Sequence, residues 1–427
     1  MMKRPIAIDL FSGCGGMSLG LEASGFDIAV AVEFDAIHAL IHHLNFPYTH
    51  TICQDINHLN TDYLKEILQD KGINEVDLIA GGPPCQGFSL MGKRQLDDPR
   101  NSLVFEYVRV IQDLQPKYFV FENVPGIAVG SHKQFLEELI NEFESLGYHI
   151  AKPIKILDAS LFGAPQKRKR LILMGSRHDV KPVNYPLETE EFNNVESAIN
   201  DLVSFPAFIG ENKSIDANKL DYSGFRRNFA LKPQGIYELC HDRQRDNLVY
   251  NHVGSNHTEK SKQRFQDTPQ GEVEKTSRFL KLSPTGLCNT LRAGTARDKG
   301  AYTAARPIHY NQPRCITVRE AGRLHTFPDW FLFHETIWHG FREIGNAVIP
   351  MLAKAIGDEI ITVLEVDINQ LEVRKLAKMD LEFMAYNMDK ASNYWNISNE
   401  IIPKRKRLEM SVLLFSDKFD RPKYFRD

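Results

Sequence analysis

The sequence predicts an α/β protein built on a doubly wound, largely parallel sheet, joined to a smaller domain of irregular architecture. Three observations predict it. Over the first 180 residues, short apolar runs alternate with helical patterns, as in successive βα units. Several of those runs stop at once in glycine, an acid or a Pro-Pro pair, as strands do when their carboxyl ends build a site. The pattern then weakens from about residue 186 and returns only at Val318–Leu324.

In chain order, Ile6–Phe11 reads as a strand leading into a glycine turn and a helix over Met17–Ala23. Strands follow at Asp27–Val32, Asp77–Ala80, Tyr118–Phe121, Ile150–Leu157 and Leu171–Gly175, with helices at Leu103–Leu114 and Lys133–Leu146. The last two strands are separated by only about a dozen residues containing Gly163 and Pro165, too few for a crossover helix, so they pair antiparallel. The strand-end rule then gathers Phe11-Ser12-Gly13, Glu33, Pro83-Pro84-Cys85, Glu122-Asn123, Arg168 and Arg170 at one sheet edge. A further helix is predicted over Ile344–Leu364. The divisions are 1–185, 186–316, 317–365 and a charged, aromatic-rich, partly helical extension, 366–427, of unreadable role.

The 427 residues, 42% hydrophobic, suffice for a large core. There is no signal peptide and no apolar stretch of about 18 residues, which points to a cytoplasmic protein rather than a membrane one. The six cysteines form no C-x-x-C pair, so neither a disulfide framework nor a metal site is expected. Net charge is −3, but Lys281–Arg323 holds eight basic residues against two acidic ones, and Lys167-Arg168-Lys169-Arg170 is a second basic cluster. Charge runs of this kind are more often solvated faces than binding sites.

Gly13, Gly15 and Gly16, with Ser12 among them, let the chain turn tightly and approach a ligand, and Glu33 is placed to accept from a ribose diol. A dinucleotide fingerprint would need glycine where Ser18 stands, which disfavours a nicotinamide cofactor. Pro83-Pro84 fixes the backbone ahead of Cys85 and denies it a helical continuation. A cysteine taken alone is more often a buried structural residue. Its neighbours at the sheet edge turn the reading toward a nucleophile.

Taken together and in this order, Asp9–Gly16, Glu33, Asp55-Ile56, Gly82–Ser89, Glu122-Asn123-Val124, Gln166–Arg170, Arg319-Glu320 with Arg323-Leu324, and Gly345–Val348 resemble the motifs of cytosine carbon-5 DNA methyltransferases. The resemblance covers the chain to about residue 365. It implies a Rossmann-like methyltransferase sheet plus a target-recognition domain at 186–316, set between a catalytic domain at 1–185 and its return at 317–365. It implies S-adenosylmethionine as cofactor, Cys85 as nucleophile and Glu122 as the acid at ring nitrogen 3, with Arg168 and Arg170 facing the base's carbonyl oxygen and the nearby backbone, Arg170 in direct contact. Phe11, Glu33, Phe34, Asp55, Ile56, Pro84, Leu103, Asn346 and Ala347 would hold the cofactor.

The partner implied is double-stranded DNA. A cytosine inside a duplex hides carbon 6, so the base must be flipped out. Gln86–Asn101 would be the catalytic loop, with Ser89 on the DNA backbone, and Arg292 and Arg297 suit phosphates and guanine edges. A monomeric modification enzyme with a cognate restriction endonuclease encoded nearby is the expected setting. The competing readings are an RNA cytosine methyltransferase and a non-catalytic DNA-binding protein on the same fold; methylation of an exocyclic amino group is disfavoured by Gly82 before Pro-Pro and Cys85 after it.

Overall fold

The computed structural model describes residues 3–84, 102–130, 132–294 and 306–398. Its strands are β1 (Ile6–Leu10), β2 (Asp27–Glu33), β3 (His50–Cys53), β4 (Leu78–Gly81), β5 (Tyr118–Asn123), β6 (Tyr148–Ile150), β7 (Lys155–Asp158) and β8 (Lys169–Arg177) in one sheet. The order is β3-β2-β1-β4-β5-β8-β6, with β7 also on β8. The pairs β1–β2, β2–β3, β1–β4 and β4–β5 are parallel, and the three pairs made by β8 are antiparallel. The winding direction reverses at β1, which opens a crevice above the carboxyl ends of β1 and β4.

The helices are α1 (Gly16–Ser24), α2 (Ala36–Asn45), α3 (Thr61–Asp70), α4 (Ser102–Leu114), α5 (His132–Ser145), α6 (Val195–Ile199), α7 (Glu259–Asp267), α8 (Val318–Leu324), α9 (Ile337–Asn346), α10 (Pro350–Val363) and α11 (Met388–Tyr394). One face of the sheet is filled by Tyr107, Ile111, Phe119, Phe121, Phe143 and their neighbours. The other is covered by α1 and by α10, which arrives from the far end of the chain. A Cβ on Gly20 would lie 2.4 Å from both Ala353 Cβ and the Pro350 carbonyl, so α1 and α10 meet at a separation only glycine allows. Among the described residues no helix is long and apolar enough to cross a membrane.

Three elements differ from the sequence expectation. The strand expected over Ile150–Leu157 is two strands, β6 and β7, laid end to end along β8, because Pro153 lies between them and has no N–H to give a ladder. The helix expected over Ile344–Leu364 is broken: α9 ends at Asn346 and Pro350 opens α10. Proline at the first helical position holds Ile349 extended, so the helical path is interrupted between the two, and Asn346 and Ala347 at the break line the crevice. Strand β3 adds a residue run that the sequence pattern did not mark, being only four residues long and half polar.

Between residues 186 and 316 regular structure is sparse, and the interior is shared with α8, α9 and Phe327–Phe333 through Leu282, Leu291, Ile316, Trp330 and Phe331. Charges are buried there as well. Arg323 is fully buried and binds Asp329 through Nε and Nη2 at 2.9 and 2.7 Å, and Asp201 through Nη1 at 2.6 Å. Glu320 completes a capping box with Thr317 and accepts both terminal nitrogens of Arg314 at 2.8 and 2.7 Å. Arg314, Arg319 and Arg323 of the basic run therefore face carboxylates inside the protein, and Arg314 does not serve as a free phosphate contact.

Burial alone would push the Glu320 carboxyl up, but the Arg314 guanidinium outweighs it and holds the carboxyl well below the usual range. A depressed carboxylate stabilises the fold above its unfolded pKa of about 4.3 and loses that contribution as pH falls further. Glu320→Gln is expected to be less stable at neutral pH and to show a shallower loss of unfolding free energy below about pH 4.3, read from urea titrations across that range.

Candidate active site

A cavity of about 790 Å³ opens at the carboxyl edge of the sheet. One wall is the turn after β1. Phe11, Gly13 and Gly15 all have positive φ, at 60°, 55° and 105°, so the chain folds back on itself before α1 begins. Below it the buried Asp9 carboxylate accepts from Ser18 N at 3.1 Å and Ser18 Oγ at 2.5 Å, and burial pushes its pKa up to about 7.

At the end of β2, Glu33 accepts from Gly13 N at 2.8 Å through Oε2 and from Asp35 N at 2.9 Å through Oε1. Each oxygen retains a second acceptor position, the pattern that meets two adjacent hydroxyls of a ribose. Burial raises this carboxyl's pKa. Phe34 follows, partly exposed, and Asp55 faces it from the turn after β3. Asp55 spends Oδ1 on Asn57 N and Nδ2 at 2.9 and 2.7 Å, which fixes the turn carrying Ile56. A nucleoside with an amino acid attached fits this wall: an acceptor pair for a diol, an aromatic and an isoleucine for a base, and a volume suited to a small cofactor.

The other half of the cavity is built around β4 and β5. A Cβ on Gly82 would stand 2.6 Å from Glu122 Oε2, so glycine is what admits the Glu122 carboxylate beside the chain that runs on to Cys85. Asn123 Nδ2 donates to the Pro83 carbonyl at 3.2 Å and pins the same stretch. Glu122 Oε1 is held by Arg170 Nε at 2.6 Å, both side chains being largely enclosed. The antiparallel β5–β8 register sets Glu122 opposite Ile172, which brings Arg170 within reach.

Phe11, Ser12, Gly13, Glu33, Phe34, Asp55, Ile56, Pro84, Leu103, Glu122, Arg168, Arg170, Asn346 and Ala347 all line the one cavity. Gly15 and Gly16 do not. Gly15 has Phe46 against it, and a Cβ on Gly16 would meet the Val348 carbonyl at 2.3 Å, so these glycines shape the turn and seat the chain after α9. Arg292 is exposed outside the cavity. Cys85, Ser89 and Arg297 lie outside the described residues. His38 and Arg342 also line the cavity, and nothing local in the sequence marked them. Asp9 and Gly82 line it too; in the sequence they stood out only as members of the runs Asp9–Gly16 and Gly82–Ser89, with no role of their own.

Arg168 lines the cavity but spends its terminal nitrogens on main chain. Its guanidinium, fully enclosed, donates to the carbonyls of Leu291 at 2.9 Å, Gly345 at 2.9 Å and Ala347 at 2.9 Å. It ties the cavity wall together, and Arg170 is the arginine placed beside the acid. The other five cysteines, Cys14, Cys53, Cys240, Cys288 and Cys315, are buried, and burial raises the pKa of each thiol. None of them presents a thiolate to this cavity.

A doubly wound sheet with a polar-lined cavity at its carboxyl edge, over the switch point, is the architecture of an α/β protein that binds a ligand there. The chain matches the family model of C-5 cytosine-specific DNA methylases over residues 6–362 and belongs to that family. It is a DNA (cytosine-5) methyltransferase. It is 45% identical over 409 residues to the type II methyltransferase M.XorII of Xanthomonas oryzae pv. oryzae, covering 95% of this chain and 96% of that one. It is 32% identical to M.DdeI of Desulfomicrobium norvegicum, over 83% of this chain and 88% of that one. A crystal structure of a prophage-encoded DNA modification methyltransferase from E. coli superposes with a TM-score of 0.70 at 32% identity, covering 85% of this chain and all of the other.

Arg168→Ala removes the guanidinium donor from the carbonyls of Leu291 and Gly345 and leaves the Ala347 carbonyl with His325 Nε2 alone. It is expected to cost about 3 kcal/mol of unfolding free energy, measured by chemical denaturation, and Arg168→Lys is expected to recover only a fraction of this because one ammonium cannot span three acceptors in that fork.

Proposed function

We propose that this methyltransferase moves a methyl group from S-adenosylmethionine to carbon 5 of a cytosine flipped out of a specific double-stranded DNA site, through a covalent adduct with Cys85. The observation that carries the reading is the Glu122 carboxylate lying against Gly82, beside the Asn123 hydrogen bond to the Pro83 carbonyl that leads into Cys85, with Arg170 on the acid. When bound, S-adenosylmethionine supplies an electrophilic methyl group; Glu33, Phe34, Asp55 and Ile56 would hold its nucleoside, with Phe11, Pro84, Leu103, Asn346 and Ala347 around it.

Carbon 5 of cytosine is a weak nucleophile. Addition of the Cys85 thiolate to carbon 6 turns it into an enamine-like carbon able to take a methyl group. The addition drives electron density toward ring nitrogen 3. Glu122, with Oε1 engaged by Arg170, has Oε2 left to hydrogen-bond or protonate that nitrogen. Arg170 stands next to the same position and suits the base's carbonyl oxygen. The carbon 5 proton then leaves and the thiolate is eliminated. In this reading residues 186–316 recognise the DNA sequence, while 1–185 and 317–365 carry the chemistry. The type II names of the relatives support a place in a restriction-modification system, beside a cognate endonuclease.

Cys85→Ser is expected to abolish transfer of tritiated methyl groups to DNA while binding S-adenosylhomocysteine as before. DNA containing 5-fluorocytosine is expected to trap a denaturation-resistant adduct with the unsubstituted protein, and a clean absence of that adduct would refute cysteine addition. Glu122→Gln is expected to lower kcat by about 100-fold or more. Label appearing in tRNA rather than in DNA would favour the RNA reading.

A further inference from the structure

The family model stops at residue 362, yet the chain continues through a described extension to Ser398. That extension is not scattered over the surface. Its helix α11 and the turn Leu381–Ala385 both lie against α2. Ala391, fully buried, shares a core with Ala36, Ile37, Ala39, Leu40 and Cys53, and Phe383, Tyr386, Met388, Trp395 and Ile397 pack around it. His43 of α2 has the rings of Phe383, Tyr394 and Trp395 around it, at centroid distances of 6.2, 5.9 and 5.8 Å.

The residues covered in this way adjoin, in the chain, residues that line the cavity, and His38 of the same helix lines it too. Ala36 follows Glu33-Phe34-Asp35 in the chain, and Cys53 precedes Gln54-Asp55-Ile56. Trp395 Nε1 donates to the Ala36 carbonyl at 3.1 Å. Backbone ties run alongside: Glu335 N donates to the Met384 carbonyl at 3.0 Å, and His334 Nε2 lies 3.0 Å from the Tyr386 carbonyl. The extension is therefore fastened both to α2 and to the segment that enters α9, the helix carrying Arg342 and Asn346 into the cavity.

We infer that residues 366–398 are a positioning strap for the cofactor pocket, with Trp395 as its pin on Ala36. This rests on the reading of the cavity as the S-adenosylmethionine site. Glu33 works only if its two oxygens hold the diol while Gly13 and Asp35 hold Glu33, so the first turn of α2 must not drift. A wall set by packing behind it binds its ligand with less ordering left to do. Trp395 touches no reacting atom and is a positioning residue.

The test is calorimetric titration of S-adenosylhomocysteine into the full-length protein, Trp395→Phe and Trp395→Ala. Phe keeps ring packing and loses only the hydrogen bond; its Kd is expected to rise about threefold, and that of Ala about tenfold. At saturating S-adenosylmethionine both variants are expected to keep kcat within about twofold, so the loss falls on cofactor KM. Unchanged Kd in the folded variants, or a fall in kcat with Kd kept, would overturn the strap; if the Ala variant does not fold, Trp395→Phe decides it. No binding by the unsubstituted protein would instead sink the cofactor reading itself, and the strap with it.

Discussion

The site depends first on one buried cation. Arg168 leaves the start of β8 and places its guanidinium where three carbonyls converge, from Leu291 in the irregular region and from Gly345 and Ala347 at the end of α9. Gln166 reinforces the junction, donating to the Leu324 carbonyl at 3.2 Å and accepting from Leu291 N at 3.0 Å. Burying a guanidinium is costly unless its donors are met. Here main-chain carbonyls accept from both terminal nitrogens, while Nε has no partner among the described residues, and segments more than 170 residues away in the chain are drawn to one point. The cavity has a far wall because this cation has to be solvated by the protein.

The same logic runs through the neighbouring interior. Arg319, Glu320, Arg323 and Asp329 are all buried, and their ion pairs and caps fasten α8 to the region before it. A buried pair of this kind gives a fixed geometry more readily than a large gain in stability. A net charge of −3 and a locally basic stretch are thereby reconciled, since several of those arginines are counted against internal acids and not against solvent.

Two walls of the cavity are thus tied to segments far away in the chain. Arg168 fixes the α9 end, while the extension backs α2 and the end of β3. Glycine acts at both kinds of contact: Gly16 lets the chain after α9 settle on the turn after β1, and Gly82 admits the Glu122 carboxylate. Neither glycine need touch a ligand for a larger side chain there to displace one.

The amino-acid order alone determined the sheet, its strand-end rule and the gathering of Glu33, Glu122 and the Arg168–Arg170 strand at one edge, because apolar periodicity and turn residues are local properties. It also sufficed to recognise the family, through motifs whose order survives in one dimension. What tertiary structure decided was the work each residue does. Arg168 and Arg170 are two positions apart and chemically identical, yet one is enclosed among carbonyls and the other sits on Glu122. The break between α9 and α10 was visible as Pro350, but that Asn346 and Ala347 face the cavity depends on where α10 packs. Nothing around Trp395 in the chain points to Ala36, 359 residues away, because a contact at that distance is written in the packing of two surfaces and not in either segment alone.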